Sequence, residues 1–182
     1  MEEDWLDQLD EDIKRIPELR ILEDVRAREH VMSSLVLLFL KIWMRFVLDT
    51  GIKMEISPPS EEVAMYHGKN NWSLNQDFNF SALDEISLTN RQNRIHALKA
   101  ETFTIHGRDH VRIAFSLEEE RVKGQPVMVS YSVYSAEAKD FSIEDAVTKL
   151  KPALGKWFLS IVENEPSILW NFCKEKYELV GV

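Results

Sequence analysis

The sequence predicts an α+β fold: an antiparallel meander of three to four strands packed against a long N-terminal-half helix and two C-terminal helices. Three observations predict it. Residues 101–134 alternate apolar and polar side chains between turn signals, the period-2 pattern of half-buried strands. Residues 33–49 are almost continuously apolar and are followed by Gly51, which reads as a helix covered on most of its circumference. Residues 142–173 carry apolar side chains at helical spacing behind a capping signal.

A chain of 182 residues, 45% hydrophobic and 29% charged, suits one domain spanning 1–182, with 1–16 as an appended acidic amphipathic helix. The balance of 22 Lys and Arg against 31 Asp and Glu gives a net charge of −9 and disfavours a duplex-DNA binder, which gains affinity by neutralising phosphates. The single cysteine, Cys173, cannot form an intrachain disulfide or a cysteine-only zinc site, and it fits a reducing, cytoplasmic compartment.

The acidity is concentrated at the start. The first twelve residues hold seven acids and no base, and the remainder is close to balance, which argues against a whole-surface DNA mimic. Trp5, Leu6, Leu9, Ile13 and Ile16 recur at spacings of three and four, so one side is apolar and the other negative. Two uses fit. The segment packs on the domain as a first helix, its acids favoured near a helix N-terminus by the macrodipole. Alternatively it docks into a groove on a basic protein partner, with Trp5, Leu6 and Leu9 as anchors and Asp7 and Asp10 as steering charges.

Pro17 opens the next helical stretch at a position where proline is tolerated. That stretch runs to Asp49, as one helix or as two with a break near Ser33-Ser34, and Gly51 ends it. The segment does not qualify as a membrane span. Lys41 and Arg45 interrupt it, each at about 2.5–3.5 kcal/mol if placed at a bilayer centre, and the apolar run Leu35 to Leu40 falls far short of the roughly 20 residues required. Its cover is either the sheet with the C-terminal helices or a second copy of the chain, residues 31–48 then forming a homo-oligomeric seam.

Ile52 to Ile56 reads as a strand closed by Pro58-Pro59. Residues 60–93 are rich in asparagine and aromatic residues. Tyr66 and Trp72 are the choices there for a partner-contacting loop, because loops carry function and Trp and Tyr are enriched at binding hot spots. The stretch to residue 100 fits a helix around Asn90 to Ala100 or another strand, and after Arg94 the pattern leans to strand. Glu101 to His106, a three-residue Gly107-Arg108-Asp109 loop and His110 to Leu117 read as a hairpin, with Val111, Ile113, Phe115 and Leu117 on one face. Gly124-Gln125-Pro126 makes the following turn. Strict alternation then puts Tyr131 and Tyr134 on opposite faces. Ser142 caps a helix that Pro152 breaks or kinks, and Pro166 begins a last helix carrying Ile168, Leu169, Phe172 and Cys173.

Catalytic motifs are absent. There is no G-x-S-x-G elbow, no phosphate loop, no G-x-G-x-x-G and no H-E-x-x-H, and no motif calls for a cofactor. The remaining constellation is His106, Asp109 and His110, which a three-residue loop would set face to face as a zinc site lacking a third fixed ligand; Arg112 would add a charge for a small-ligand or metal-binding enzyme. The sequence therefore favours a non-enzymatic protein-binding module (an adaptor, a secretion-chaperone-like protein, or an inhibitor or immunity-type protein). A hairpin-centred enzyme and a homo-oligomeric structural protein are the alternatives.

Overall fold

The computed structural model describes residues 5–9, 11, 27–57, 66–68, 71–73, 85–90 and 96–180. Residues 5–9 are helical (α1). They are followed by helix α2 (Ala27–Met44), a π-helical turn (Arg45–Asp49), and strands β1 (Glu55–Ser57), β2 (Tyr66–Gly68), β3 (Asn71–Ser73), β4 (Glu85–Asn90), β5 (His96–Ile105), β6 (Arg108–Val122) and β7 (Gln125–Glu137). A 3-10 turn (Ala138–Asp140), helices α3 (Ile143–Val162) and α4 (Ser167–Lys176) and strand β8 (Glu178–Leu179) complete the order.

The fold is α+β, and its sheet is larger than the expected three to four strands. Six antiparallel strands lie in the order β1-β4-β5-β6-β7-β8, and β2 with β3 forms a separate hairpin. The strands missed are β4 and β8. In β4, Ile86 and Leu88 alternate with polar residues, but the run is only six residues long and follows an irregular stretch. β8 has two residues, too few to carry a pattern.

One sheet face carries the core. Ile56, Leu88, Leu98 and Phe115 align across β1, β4, β5 and β6, and Ile86, Ala100 and Ile113 form the next row. A register shift falls between Ile113 and Ala114, where Tyr134 opposes Ile113 and Ser132 opposes Ala114. Val133 is thus a bulge residue, and the bulge restores Tyr134 to the same face as Tyr131. This corrects the opposite-face placement expected from strict alternation. Tyr134 is buried against Phe141, edge to face at 5.8 Å, and its hydroxyl accepts from the Ser142 amide at 3.1 Å.

α2 lies on this face as one continuous helix, without a break at Ser33-Ser34. Leu35, Leu38, Phe39 and Ile42 are fully covered within the single chain, and Phe46 in the π turn is buried as well. The chain itself therefore covers most of the described apolar side chains along 31–48, while Met44 is exposed and Leu37, Trp43 and Val47 are half-buried. The helix ends where Gly51 turns at φ +73° and donates to the Val47 carbonyl at 3.1 Å, the left-handed cap that glycine adopts without strain. α3 runs through Pro152 without breaking. Pro152 is exposed, while Ala146, Leu150, Leu154 and Trp157 are buried on the opposite side; their packing outweighs a cost of about 3 kcal/mol for an interior proline. Among the described residues no helix is long and apolar enough to cross a membrane.

Candidate partner-binding surface

α1 is positioned by its apolar side. Leu9 is 1% exposed and Leu6 is buried. The Trp5 ring meets Phe46 edge-on at 5.4 Å and Phe158 at 5.9 Å, and Phe46 continues the cluster to Trp157 at 5.5 Å. Trp157 in turn meets Phe115 of the sheet edge-on at 5.3 Å, so α1 is linked through rings to the core. Gly155 on α3 faces Leu6: a Cβ there would lie in ordinary contact, 3.6 Å from the Leu6 Cδ1. The indole N–H groups of Trp5, Trp157 and Trp170 are buried with no hydrogen-bond acceptor among the described residues, where packing holds these rings.

The three proposed anchors thus divide from the one proposed steering charge that is described, Asp7. Leu6 and Leu9 face the chain's own core and Trp5 is half-buried, which is the first-helix arrangement rather than a presented apolar stripe. Asp7 points outward, its side chain 68% exposed, and pairs with Lys151 of α3; Gln8 and Glu11 are exposed beside it. Asp10 lies outside the described residues. Lys151 was not anticipated, because a partner 144 positions away leaves no spacing signal.

The hairpin histidines are not brought together. The expected three-residue loop is a two-residue turn: His106 and Gly107 both take positive φ, +51° and +75°, and Ile105 pairs with Arg108. His106 therefore occupies the turn itself. His110 lies opposite Phe103 and stacks on it at 5.6 Å, while Asp109 lies opposite Thr104 and accepts its hydroxyl at 2.9 Å. Neighbours along a strand point to opposite faces, so Asp109 and His110 diverge. Arg112 is engaged by Glu101, its Nε at 2.7 Å, and lies 4.8 Å over the Phe103 ring. Among the described residues no three metal-ligating side chains gather. The error lay in the turn: a two-residue loop shifts the register, and every pairing moves with it.

Near the hairpin, Glu137 receives Arg108 at 2.9 Å and Lys139 at 3.3 Å, and these hydrogen bonds hold its carboxyl below the usual range. Tyr66 and Trp72 belong to the β2–β3 hairpin, in which Tyr66 opposes Ser73 and His67 opposes Trp72. Their backbone is extended rather than looped; their side chains lie outside the described residues.

Compared with known proteins, the chain matches no family, no curated protein and no solved structure.

Proposed function

We propose that the protein is a non-enzymatic protein-binding module that presents the acidic face of α1 to a basic surface of its partner. The observation that supports this reading is the docking of α1. Leu6, Leu9 and the Trp5 ring cluster hold the helix on the domain, and this leaves Asp7, Gln8 and Glu11 outward in a defined orientation. Carboxylates held in a fixed orientation raise the encounter rate with a complementary surface more than they raise affinity, and the Lys151 ammonium beside Asp7 offsets part of that charge. The aromatic segment around Tyr66 and Trp72 serves as the second contact in this proposal.

Charge neutralisation tests it more cleanly than truncation. A chain starting at Pro17 would lose Leu6 and Leu9 from the core, so lost binding would be confounded with lost folding. Asp7→Asn with Glu11→Gln removes charge at exposed positions, and the Asp7–Lys151 pair, being largely exposed, is worth no more than about 1 kcal/mol. The expected result with a captured partner is a lower association rate, a flatter salt dependence and a nearly unchanged melting temperature. Association and salt dependence identical to wild type would sink the steering proposal.

A further inference from the structure

The acidic face of α1 already holds a cation from its own chain. α1 crosses α3 in an antiparallel sense: Asp7 meets Lys151, Leu6 faces Gly155 and Trp5 meets Phe158. On α3 these three positions are spaced by four and three, so they form one stripe of the helix. The apolar contacts fix the register. Leu6 is buried, and the Trp5 ring sits 5.4 Å from Phe46 and 5.9 Å from Phe158. Packing therefore brings Lys151 to Asp7; the ion pair itself, as an exposed contact, is too weak to place a helix.

The pair is uneven. The Lys151 side chain is 27% exposed and the Asp7 side chain 68%. The ammonium donates to Oδ1, and Oδ2 has no hydrogen-bond partner among the described residues. A carboxylate accepts on both oxygens. An ammonium is a single point charge, whereas a guanidinium fork engages both oxygens together. The other lysines of α3 are placed differently. Lys149 pairs with Asp145 at 3.1 Å and lies 5.3 Å over the Tyr134 ring. Lys156 is exposed, with no carboxylate partner among the described residues.

We propose that Lys151 is an internal stand-in for the partner's basic side chain: it occupies Asp7 in the free protein, and an arginine of the partner takes the carboxylate from it on binding. This rests on the reading of α1 as the partner-facing element and adds the residue that sets its selectivity. Binding is weakened by the strength of the pair it replaces, which for an exposed contact is a factor of up to about five. A partner lysine only exchanges one ammonium for another. A partner arginine gains the second oxygen, so a surface bearing arginine is preferred.

The probes are nonaarginine and nonalysine peptides, titrated at low ionic strength into the isotope-labelled full chain while the backbone amides of residues 5–9 are followed. Melting curves first establish that each variant is folded. Lys151→Gln should tighten nonaarginine binding by about two- to fivefold, and Lys151→Arg, which keeps a cation beside Asp7, should show no gain. Asp7→Asn should weaken binding, and Lys151→Gln should add nothing on that background, because the cation then has no carboxylate to withhold. Lys156→Gln removes the same charge from the same helix away from Asp7 and is the control. A gain that persists on Asp7→Asn, or that Lys156→Gln matches, is an effect of net charge and overturns the proposal. Unchanged or weaker binding by Lys151→Gln overturns it as well. Nonaarginine should bind more tightly than nonalysine by a margin that shrinks on Asp7→Asn; a margin that stays intact removes the assignment to arginine. The two readings fail differently. Binding indifferent to Asp7→Asn sinks the partner-facing reading of α1 together with this one, whereas binding weakened by Asp7→Asn and untouched by Lys151→Gln sinks the stand-in alone.

Discussion

Cys173 and Tyr177 show how burial sets chemistry at single residues. Cys173 faces the core from α4, and loss of hydration pushes its thiol up from 9.0 to about 12. Tyr177 is pushed from 10.0 to about 12 by burial first and by the neighbouring Cys173 second. Its hydroxyl also reaches the Lys149 carbonyl at 3.4 Å, a contact only the neutral form can donate. Both shifts favour the protonated state in the folded chain. Their stabilisation is therefore complete below the unfolded values and is lost as pH rises towards 12. The melting temperature should stay flat with respect to these groups up to about pH 9 and then fall. Cys173→Ala and Tyr177→Phe should each make that alkaline fall shallower, whatever constant offset they add at neutral pH. Parallel curves for wild type and both variants would show that these groups do not drive it. The same burial makes Cys173 a packing thiol rather than a nucleophile, since the thiolate is the reactive form.

At the scale of elements, two helix starts carry separable contributions. Ser142 has extended backbone at φ −126°, and its hydroxyl accepts from the Asp145 amide at 3.2 Å, as the capping pattern in the sequence implies. Ser142→Ala is expected to lower unfolding free energy by about 1 kcal/mol, and Ser142→Gly by only a few tenths; denaturant melts with a shared slope measure both. α1 depends on burial instead. Leu9→Ala should cost about 2–5 kcal/mol, and the chain should still unfold in one transition. An early separate transition for residues 5–9, with the main melt unmoved, would mean that α1 is an appendage rather than part of the domain. The hairpin turns follow a third logic. His106-Gly107 and Lys123-Gly124 both use two consecutive positive φ angles, which match the right-handed twist of the strands they join. A glycine in such a run announces a turn, but the loop length cannot be read from the glycine alone, and the loop length sets the register.

For the molecule as a whole, the arrangement of cover decides its association state. The apolar side of α2 is closed by the sheet, Phe46 of the π turn by Trp157, and the apolar side of α1 by Phe46 and Phe158. The exposed large apolar residues include Met44, Ile105, Met128, Val162 and Leu179, distributed over five different elements or turns rather than gathered on one helix. We expect sedimentation to give a single species at 21.2 kDa across a concentration series. A dimer that persists on dilution would contradict this.

The local patterns were legible because they depend on near neighbours. Period-2 alternation marked β6 and β7, helical spacing marked α3 and α4, Gly51 marked the end of α2, and Ser142 marked the start of α3. These features answer to backbone sterics and to one buried face, which a sequence states directly. The candidate sites were less legible. The bulge at Val133 changes the pairing by one position and the two-residue turn at His106-Gly107 by three, and an odd change of register reverses which side chains share a face. That moved Tyr134 into the core and parted His110 from His106. The sequence by itself determined that α1 is amphipathic, acidic on one side and apolar on the other. Only the tertiary structure decided that the apolar side meets the chain's own core and that Asp7, Gln8 and Glu11 face outward, because Phe46, Lys151, Gly155 and Phe158 come to α1 from positions whose distance along the chain carries no local signal.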